Sequence, residues 1–299
     1  MRRYSGCGLA LAAIAVISLA ACSGGGDIDV RQLTGLSAPE ETGAAQQARQ
    51  QGIAARADAL VLSTTHAEVV HPDGHLAFQL LATCSGTRCE LQDPASGETH
   101  ERDLANFPVL RGDAQAIGSA HGITLVSETG RPPGLERTAF GAWMEHGSFG
   151  LFNDRFAVEG IESTYLYALA LGDLTDRPLG GSATWLGIMV GTPVAGDDEG
   201  DRLVGTAALN YDLAAGGLDA AFSGIKNIDR GRAHSVEAVI FSNLEVGPDG
   251  TFKRGQSGAH IQGGFYGPGH EEAAGIFEQS HIVGAFGATR TPQDVPAPP

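Results

Sequence analysis

A chain that alternates small and aromatic residues between tight turns has few folds open to it. Residues 259–290, AHIQGGFYGPGHEEAAGIFEQSHIVGAFGATR, do this throughout. Two period-two runs, Ile261-x-Gly263-x-Phe265 and Ile282-x-Gly284-x-Phe286, bracket a Gly267-Pro268-Gly269 turn and a middle run over 272–278. That is the pattern of short strands separated by turns. Glycine weakens a flat strand, so Gly263, Gly264, Gly275, Gly284 and Gly287 suit a sheet that bends sharply or packs closely, as in a small closed barrel. Phe265, Phe277 and Phe286 then fall on positions that point into the barrel, whose narrow interior side chains can fill.

The run Gly264-Phe265-Tyr266-Gly267-Pro268, then Glu272, Gly275 and Phe277, then Gly284-Ala285-Phe286-Gly287-Ala288-x-Arg290, resembles the closing motif of the β-barrel domains of bacterial transferrin-binding protein B and related surface lipoproteins. The similarity can be followed back through Val204-Gly205-Thr206-Ala207 and Ala183-Thr184-Trp185-Leu186-Gly187 to about Phe140. The resemblance implies a surface lipoprotein that binds a protein or solute ligand, with an outer-membrane receptor or export partner as a further candidate. One barrel is read here, against the two lobes of transferrin-binding protein B.

The other end of the chain carries an address. Arg2 and Arg3 precede an apolar run, residues 9–19, that is too short to span a bilayer, and Leu19-Ala20-Ala21-Cys22 ends it with small residues. Residues 1–21 read as a signal peptide. The ending resembles a lipobox, which implies cleavage before Cys22, acylation of that cysteine with palmitate among the chains, and, with Ser23 following, an outer-membrane destination; a non-lipidated secretory signal is the alternative. Losing Arg2 and Arg3 takes the net charge from −16 to −18. So acidic a surface repels phosphates, which argues against nucleic acid as a partner and suits a basic protein.

With Cys7 in the leader and Cys22 acylated, Cys84 and Cys89 remain, and an exported chain favours a disulfide between them at a hairpin tip. A two-cysteine metal site is the rival reading.

Taken in order, residues 22–58 form a Gly-rich tether and a marginal helix or stalk, with Ser37 and Glu40 at capping-box spacing. Residues 59–130 read as a small β-rich domain with strands near 59–63, 76–83, 90–92 and 123–127. Gly130-Arg131-Pro132-Pro133-Gly134 marks a boundary. Residues 135–290 then supply the barrel, with strands at 140–144, 165–171, 183–190, 203–211, 218–222 and 236–241 before the closing three, and residues 291–299 form a Pro-rich disordered tail. The fold class is all-β: a C-terminal eight-stranded antiparallel soluble β-barrel preceded by a small β-rich domain and a short helical stalk. A porin-like barrel is disfavoured by strands rich in Gly, Ala and Thr, which make a poor lipid-facing belt.

Catalytic motifs are absent from the sequence: it holds no Gly-x-Ser-x-Gly, phosphate loop, His-Glu-x-x-His or dinucleotide fingerprint. Ser223-Gly224-Ile225-Lys226 matches Ser-x-x-Lys at a strand end without its companions and reads as chance. His66, His71 and His75, and His260, His270 and His281, raise a metal hypothesis, but turn positions explain them. No cofactor, metal or catalytic residue is assigned. Binding falls to loops: an acidic one with Asp197, Asp198, Glu199 and Asp201, which as a calcium loop would lack the regular alternation, and a basic one with Lys226, Arg230 and Arg232.

The reading is therefore an outer-membrane-anchored, ligand-binding lipoprotein that is not an enzyme; a periplasmic enzyme without a recognisable motif and a structural envelope lipoprotein are the alternatives. Replacing Cys22→Ser should move the protein from the membrane to the soluble fraction and remove acyl mass from the intact chain. Unchanged fractionation and mass would end the lipidation reading.

Overall fold

The computed structural model describes residues 28–56, 60–71, 74–85, 88–92, 99–103, 114–130, 135–158, 161–179, 181–212, 217–256 and 258–292. Residues 1–27, with the expected signal peptide and Cys22, and residues 293–299 lie outside them. Among the described residues two short helices, α1 (Val30–Thr34) and α2 (Gly43–Arg56), precede eighteen strands.

The first nine strands are β1 (Leu60–His71), β2 (Gly74–Ser85), β3 (Arg88–Gln92), β4 (Thr99–Asp103), β5 (Gln115–Ala120), β6 (Ile123–Gly130), β7 (Leu135–Trp143), β8 (Gly147–Val158) and β9 (Ile161–Gly172). They form one antiparallel sheet in the order β4-β3-β2-β1-β9-β8-β7-β6-β5. This corrects the strand assignment from sequence. Residues 140–144 and 165–171, assigned there to the barrel, pair within this sheet through β7 and β9, and β6 and β7 on either side of residues 131–134 pair with each other. A pair of hydrogen-bonded strands thus stands where the Pro-Gly punctuation was read as a domain boundary. In the β2–β3 hairpin Cys84 stands directly opposite Cys89 in register.

The second sheet comprises β10 (Ser182–Pro193), β11 (Leu203–Asp212), β12 (Gly217–Asn227), β13 (Arg232–Ala233), β14 (Ala238–Leu244), β15 (Thr251–Gln256), β16 (Ala259–Tyr266), β17 (Glu272–Gln279) and β18 (Ile282–Arg290). Apart from two-residue β13, eight strands follow one another as β14-β12-β11-β10-β18-β17-β16-β15. Among the described residues no ladder joins β14 to β15, so the sheet is not closed by backbone pairing. The seam carries a Val246–Phe252 bridge and a hydrogen bond from the Arg254 guanidinium to the Ser242 carbonyl.

Strand periodicity sorts the side chains. Trp185, Met189, Leu203, Leu209, Phe222, Phe241, Phe252, Phe265, Phe277 and Phe286 share one buried cluster inside the curved sheet. Phe222 stacks on Phe277 with ring centroids 4.4 Å apart, and Phe286 lies 4.9 Å from Phe222. The rings fit because glycines face them. Phe252 opposes Gly263, Phe277 opposes Gly284 and Phe286 opposes Gly275 in register. A Cβ at Gly263, Gly284 or Gly275 would come within 2.5, 2.4 or 2.6 Å of its partner's ring.

The other face of the closing strands is buried too. Ala274, Ile276, Val283 and Ala285 pack with Phe140, Ala142, Phe149, Leu151, Ala168 and Ala170 of the first sheet. Burial on both faces is why β17 and β18 read as nearly unbroken apolar runs. Phe149 sits over Gly287, where a Cβ would lie 2.2 Å from its ring.

The helices also depart from expectation. Ser37 caps no helix; its backbone bridges Ser119 on the edge of β5, and the Glu40 N–H donates to the Ser119 hydroxyl. Thr42 takes the capping place, its hydroxyl accepting from the Ala45 N–H. α2 packs on β7, where the Trp143 N–H donates to the buried side chain of Gln46 at 2.7 Å. It is a docked helix, anchored by a polar residue that a search for apolar faces passes over.

Phe277→Ala should lower the unfolding free energy by about 3–5 kcal/mol, the cost of emptying a packed aromatic site. Gly284→Ala should also destabilise, because its methyl meets that same ring, and the pair should be less than additive. Urea titrations of the two single variants and the double variant would test both; additive losses would show that the ring does not occupy the glycine's space.

Candidate functional site

The interior of the second sheet is filled, so a site has to lie on the outside. The strands leave two groups of loops at opposite ends. At one end are the connections after β10 and β12, with the two-residue turn Ser280-His281. At the other are the turn over Gly267 to Glu271, residues 245–250 and the chain after β18.

The first end holds the residues singled out in the sequence, and the structure brings them together. The Arg230 guanidinium reaches Asp201 at 2.5 Å and Asp198 at 3.3 Å, and Arg232 reaches Asp198 at 2.6 Å. Arg230 also donates to the Asp197 carbonyl. Arg202 pairs with Asp229 at 2.5 Å, donates to the Ser127 hydroxyl on β6 at 3.0 Å and lies over the Phe140 ring. Glu199 lies in the tight turn that begins at Gly196, and Lys226 is half-buried in β12 beside Ala233. The acidic and basic loops were expected to offer two opposite charges to a partner. They are instead paired with each other, and a partner's charge has to compete with that network.

The second end carries a cleft of about 550 Å³ lined by Glu145, His146, Glu271, Glu272, Thr289, Arg290, Thr291 and Pro292. Glu145 and His146 come from the β7–β8 turn, so the cleft sits where the two sheets meet. Glu272, buried at the start of β17, accepts hydrogen bonds from the backbone N–H groups of Glu145 at 2.7 Å and His146 at 3.0 Å. Burial pushes its carboxyl above the usual range against the pull of those donors. Burial also pushes the neighbouring Tyr266 phenol upward, with the Glu272 charge adding to the effect. For exposed Glu271, burial acts upward, but the N–H groups of Glu271 and Gly269 and the charges of His146 and His270 outweigh it and hold the carboxyl low. Arg290 donates to the Gly269 carbonyl at 3.0 Å and lies over the Trp185 ring.

None of these cleft residues was singled out for a site from sequence. The available signal was Glu272 itself, a carboxylate directly ahead of the apolar run over residues 273–277. His260, on β16 near Glu278 at 3.6 Å, His270 in the Gly267–Glu271 turn and His281 at the opposite end stand apart from one another. Among the described residues no group of three His, Cys, Asp or Glu is placed to hold a metal, and His66, His71 and His75 have no described side chains or lie in strand ends where none is described.

Residues 178–290 match the family of C-lobe and N-lobe β-barrels of transferrin-binding protein B. The likeness carried by residues 264–290 thus extends over the whole of the second sheet. No curated protein matches the chain in sequence. Among solved structures, isotype 1 transferrin-binding protein B from serogroup B Neisseria meningitidis is 16% identical, with 77% of this chain and 44% of that one covered at a TM-score of 0.39. A doubly substituted transferrin-binding protein B from Haemophilus parasuis gives 16%, 77%, 45% and 0.39. The N-lobe of lactoferrin-binding protein B from Moraxella bovis gives 11%, 79%, 100% and 0.38. The chain spans less than half the length of the two transferrin-binding proteins.

Because the folded pKa of Glu272 is raised, the penalty for its buried charge is absent below the unfolded carboxylate pKa and sets in as pH rises through the folded value. Glu272→Gln should therefore gain in stability on wild type as pH rises from below the ordinary carboxylate range to above it. Urea midpoints measured across that range would check this, and a pH-independent difference would remove the charge from the explanation.

Proposed function

We propose that this chain, whose residues 178–290 match the barrels of transferrin-binding protein B, is an outer-membrane lipoprotein that binds a protein ligand on the outside of its folded body. In this reading the second sheet serves as an eight-stranded barrel, the lipid on Cys22 is the anchor, and a Cys84–Cys89 disulfide staples the β2–β3 hairpin. The observation that carries the ligand class is the filled interior: the aromatic cluster from Trp185 to Phe286 leaves no room for a carried solute. Recognition then belongs to loops held out by a rigid sheet.

Two surfaces are available, the ion-paired loops around Asp198 and Arg230 and the cleft around Glu145 and Arg290. The family likeness supports a binding protein over an enzyme, and the cleft holds no nucleophile paired with a base. The protein ligands in the names of the similar structures, transferrin and lactoferrin, are theirs; for this chain the proposal is a protein partner, favoured to be basic by the net charge.

The test is native mass spectrometry of the mature protein purified from its own membranes, followed by photo-crosslinking from probes at Asp198 and Glu145. A protein adduct at either position is the expected result. A small molecule bound in equal amount to the protein, with no protein adduct at either probe, would overturn the reading.

A further inference from the structure

The N-terminal segment does not hang free of the body; it is laid along it, and it starts at one particular end. The Ile28 side chain lies against Gly231, where a Cβ would stand 3.2 Å from its Cδ1. Asp29 then caps α1, its carboxylate accepting from the N–H groups of Arg31 and Gln32. α1 packs against both β5 and β12, with Val30, Leu33 and Leu36 on the core between the sheets. Leu36 covers Gly118, and Ser37 exchanges two backbone hydrogen bonds with Ser119, at 2.9 and 3.1 Å. Residues 28–37 are therefore held by both sheets at once. The point at which the segment reaches the body is the Gly231 loop, beside Arg230 and Arg232 and the acidic residues they pair with.

Strand direction places the cleft at the other end. β10 runs from Ser182 away to Pro193, and its partner β18 returns from Ile282 to Arg290. Val194 bonds to the His281 carbonyl and Ile228 to the Arg202 carbonyl at the Gly231 end. Arg290 bonds to the Glu271 carbonyl at the cleft end. Twelve residues of β10 span about 40 Å along the strand, or about 30 Å along a barrel axis at the usual tilt. Five residues separate Cys22 from Ile28, a reach of at most about 22 Å when fully extended. An acyl chain at Cys22 thus holds the Gly231 end closer to the bilayer than the length of the body.

We infer that the loop network of Asp197, Asp198, Asp201, Asp229, Arg202, Arg230 and Arg232 is the bilayer-facing surface, and that the cleft end, about 30 Å away, is the one presented to a partner. The inference rests on the lipid-anchored reading above. The ion pairing suits the assignment. An unpaired acidic loop would be repelled by anionic headgroups, whereas here the carboxylates of Asp198, Asp201 and Asp229 are each met by a guanidinium. It also chooses between the two candidate surfaces, since a protein partner approaching from outside the bilayer meets Glu145, Glu271 and Arg290 first.

The experiment uses the full lipidated protein in phosphatidylethanolamine/phosphatidylglycerol vesicles carrying a headgroup acceptor dye. A donor is placed by a noncanonical residue at exposed Glu199, in the loop network, or at exposed Glu245, at the cleft end. Strong energy transfer from position 199 and several-fold weaker transfer from position 245 are expected. Inserting twelve Gly/Ser residues after Ser23 should narrow the difference. Equal transfer, or stronger transfer from 245, with the protein still on the vesicles, overturns the orientation alone. Failure of the wild-type chain to bind vesicles overturns the anchor and the orientation with it.

Discussion

Three phenylalanine–glycine pairs across neighbouring strands are the contacts on which this architecture depends. Phe252 with Gly263, Phe277 with Gly284 and Phe286 with Gly275 place each ring directly over a residue that has no side chain. The interior of so strongly curved a sheet is too narrow for large side chains at every inward position, so each ring is accommodated by the gap next to it. The same strands then present alanine, glycine and β-branched residues on their outer face, which lets the first sheet come close, with Phe149 seated on Gly287. Both hydrophobic clusters share β17 and β18 as a wall.

That shared wall explains where polar chemistry can survive. Between the sheets, a buried carboxylate is tolerable only with donors in place, and Glu272 has the two N–H groups of the β7–β8 turn. It joins the sheets at the cleft end much as Arg202, bonded to Asp229 and Ser127, joins them at the other. The N-terminal segment is a third tie, since α1 touches both β5 and β12. The two ends differ in what they leave over. One is occupied with its own ion pairs, and the other opens into a cleft with exposed Glu145 and Glu271.

Much of this was legible in residue order because strand periodicity and turn chemistry are local. The inward set Phe265, Phe277 and Phe286 follows from alternation alone, and the structure buries all three completely. The likeness to the transferrin-binding protein B barrels was carried by the same stretch, and it extends to residues 178–290. β8 and β15 escaped because Gly147, Asn153 and Asp154 in the one and Gly255 in the other break up the apolar runs that mark a strand, although each pairs with the strand next to it in the chain.

The sequence by itself determined an all-β chain with tight turns and a closing stretch that curves around its own aromatic residues, since each follows from neighbours within a few positions. Only the tertiary structure decided that β7 and β9 pair with the N-terminal strands, that the charged loops consume each other, and that Glu145, Glu272 and Arg290 meet in one cleft. The physical reason is range. Which strand a strand pairs with, and which charge a charge finds, depends on groups far apart in the chain, such as Glu145 and Glu272 at a separation of 127 residues, whose approach is set by the packing of two whole sheets and by no local preference.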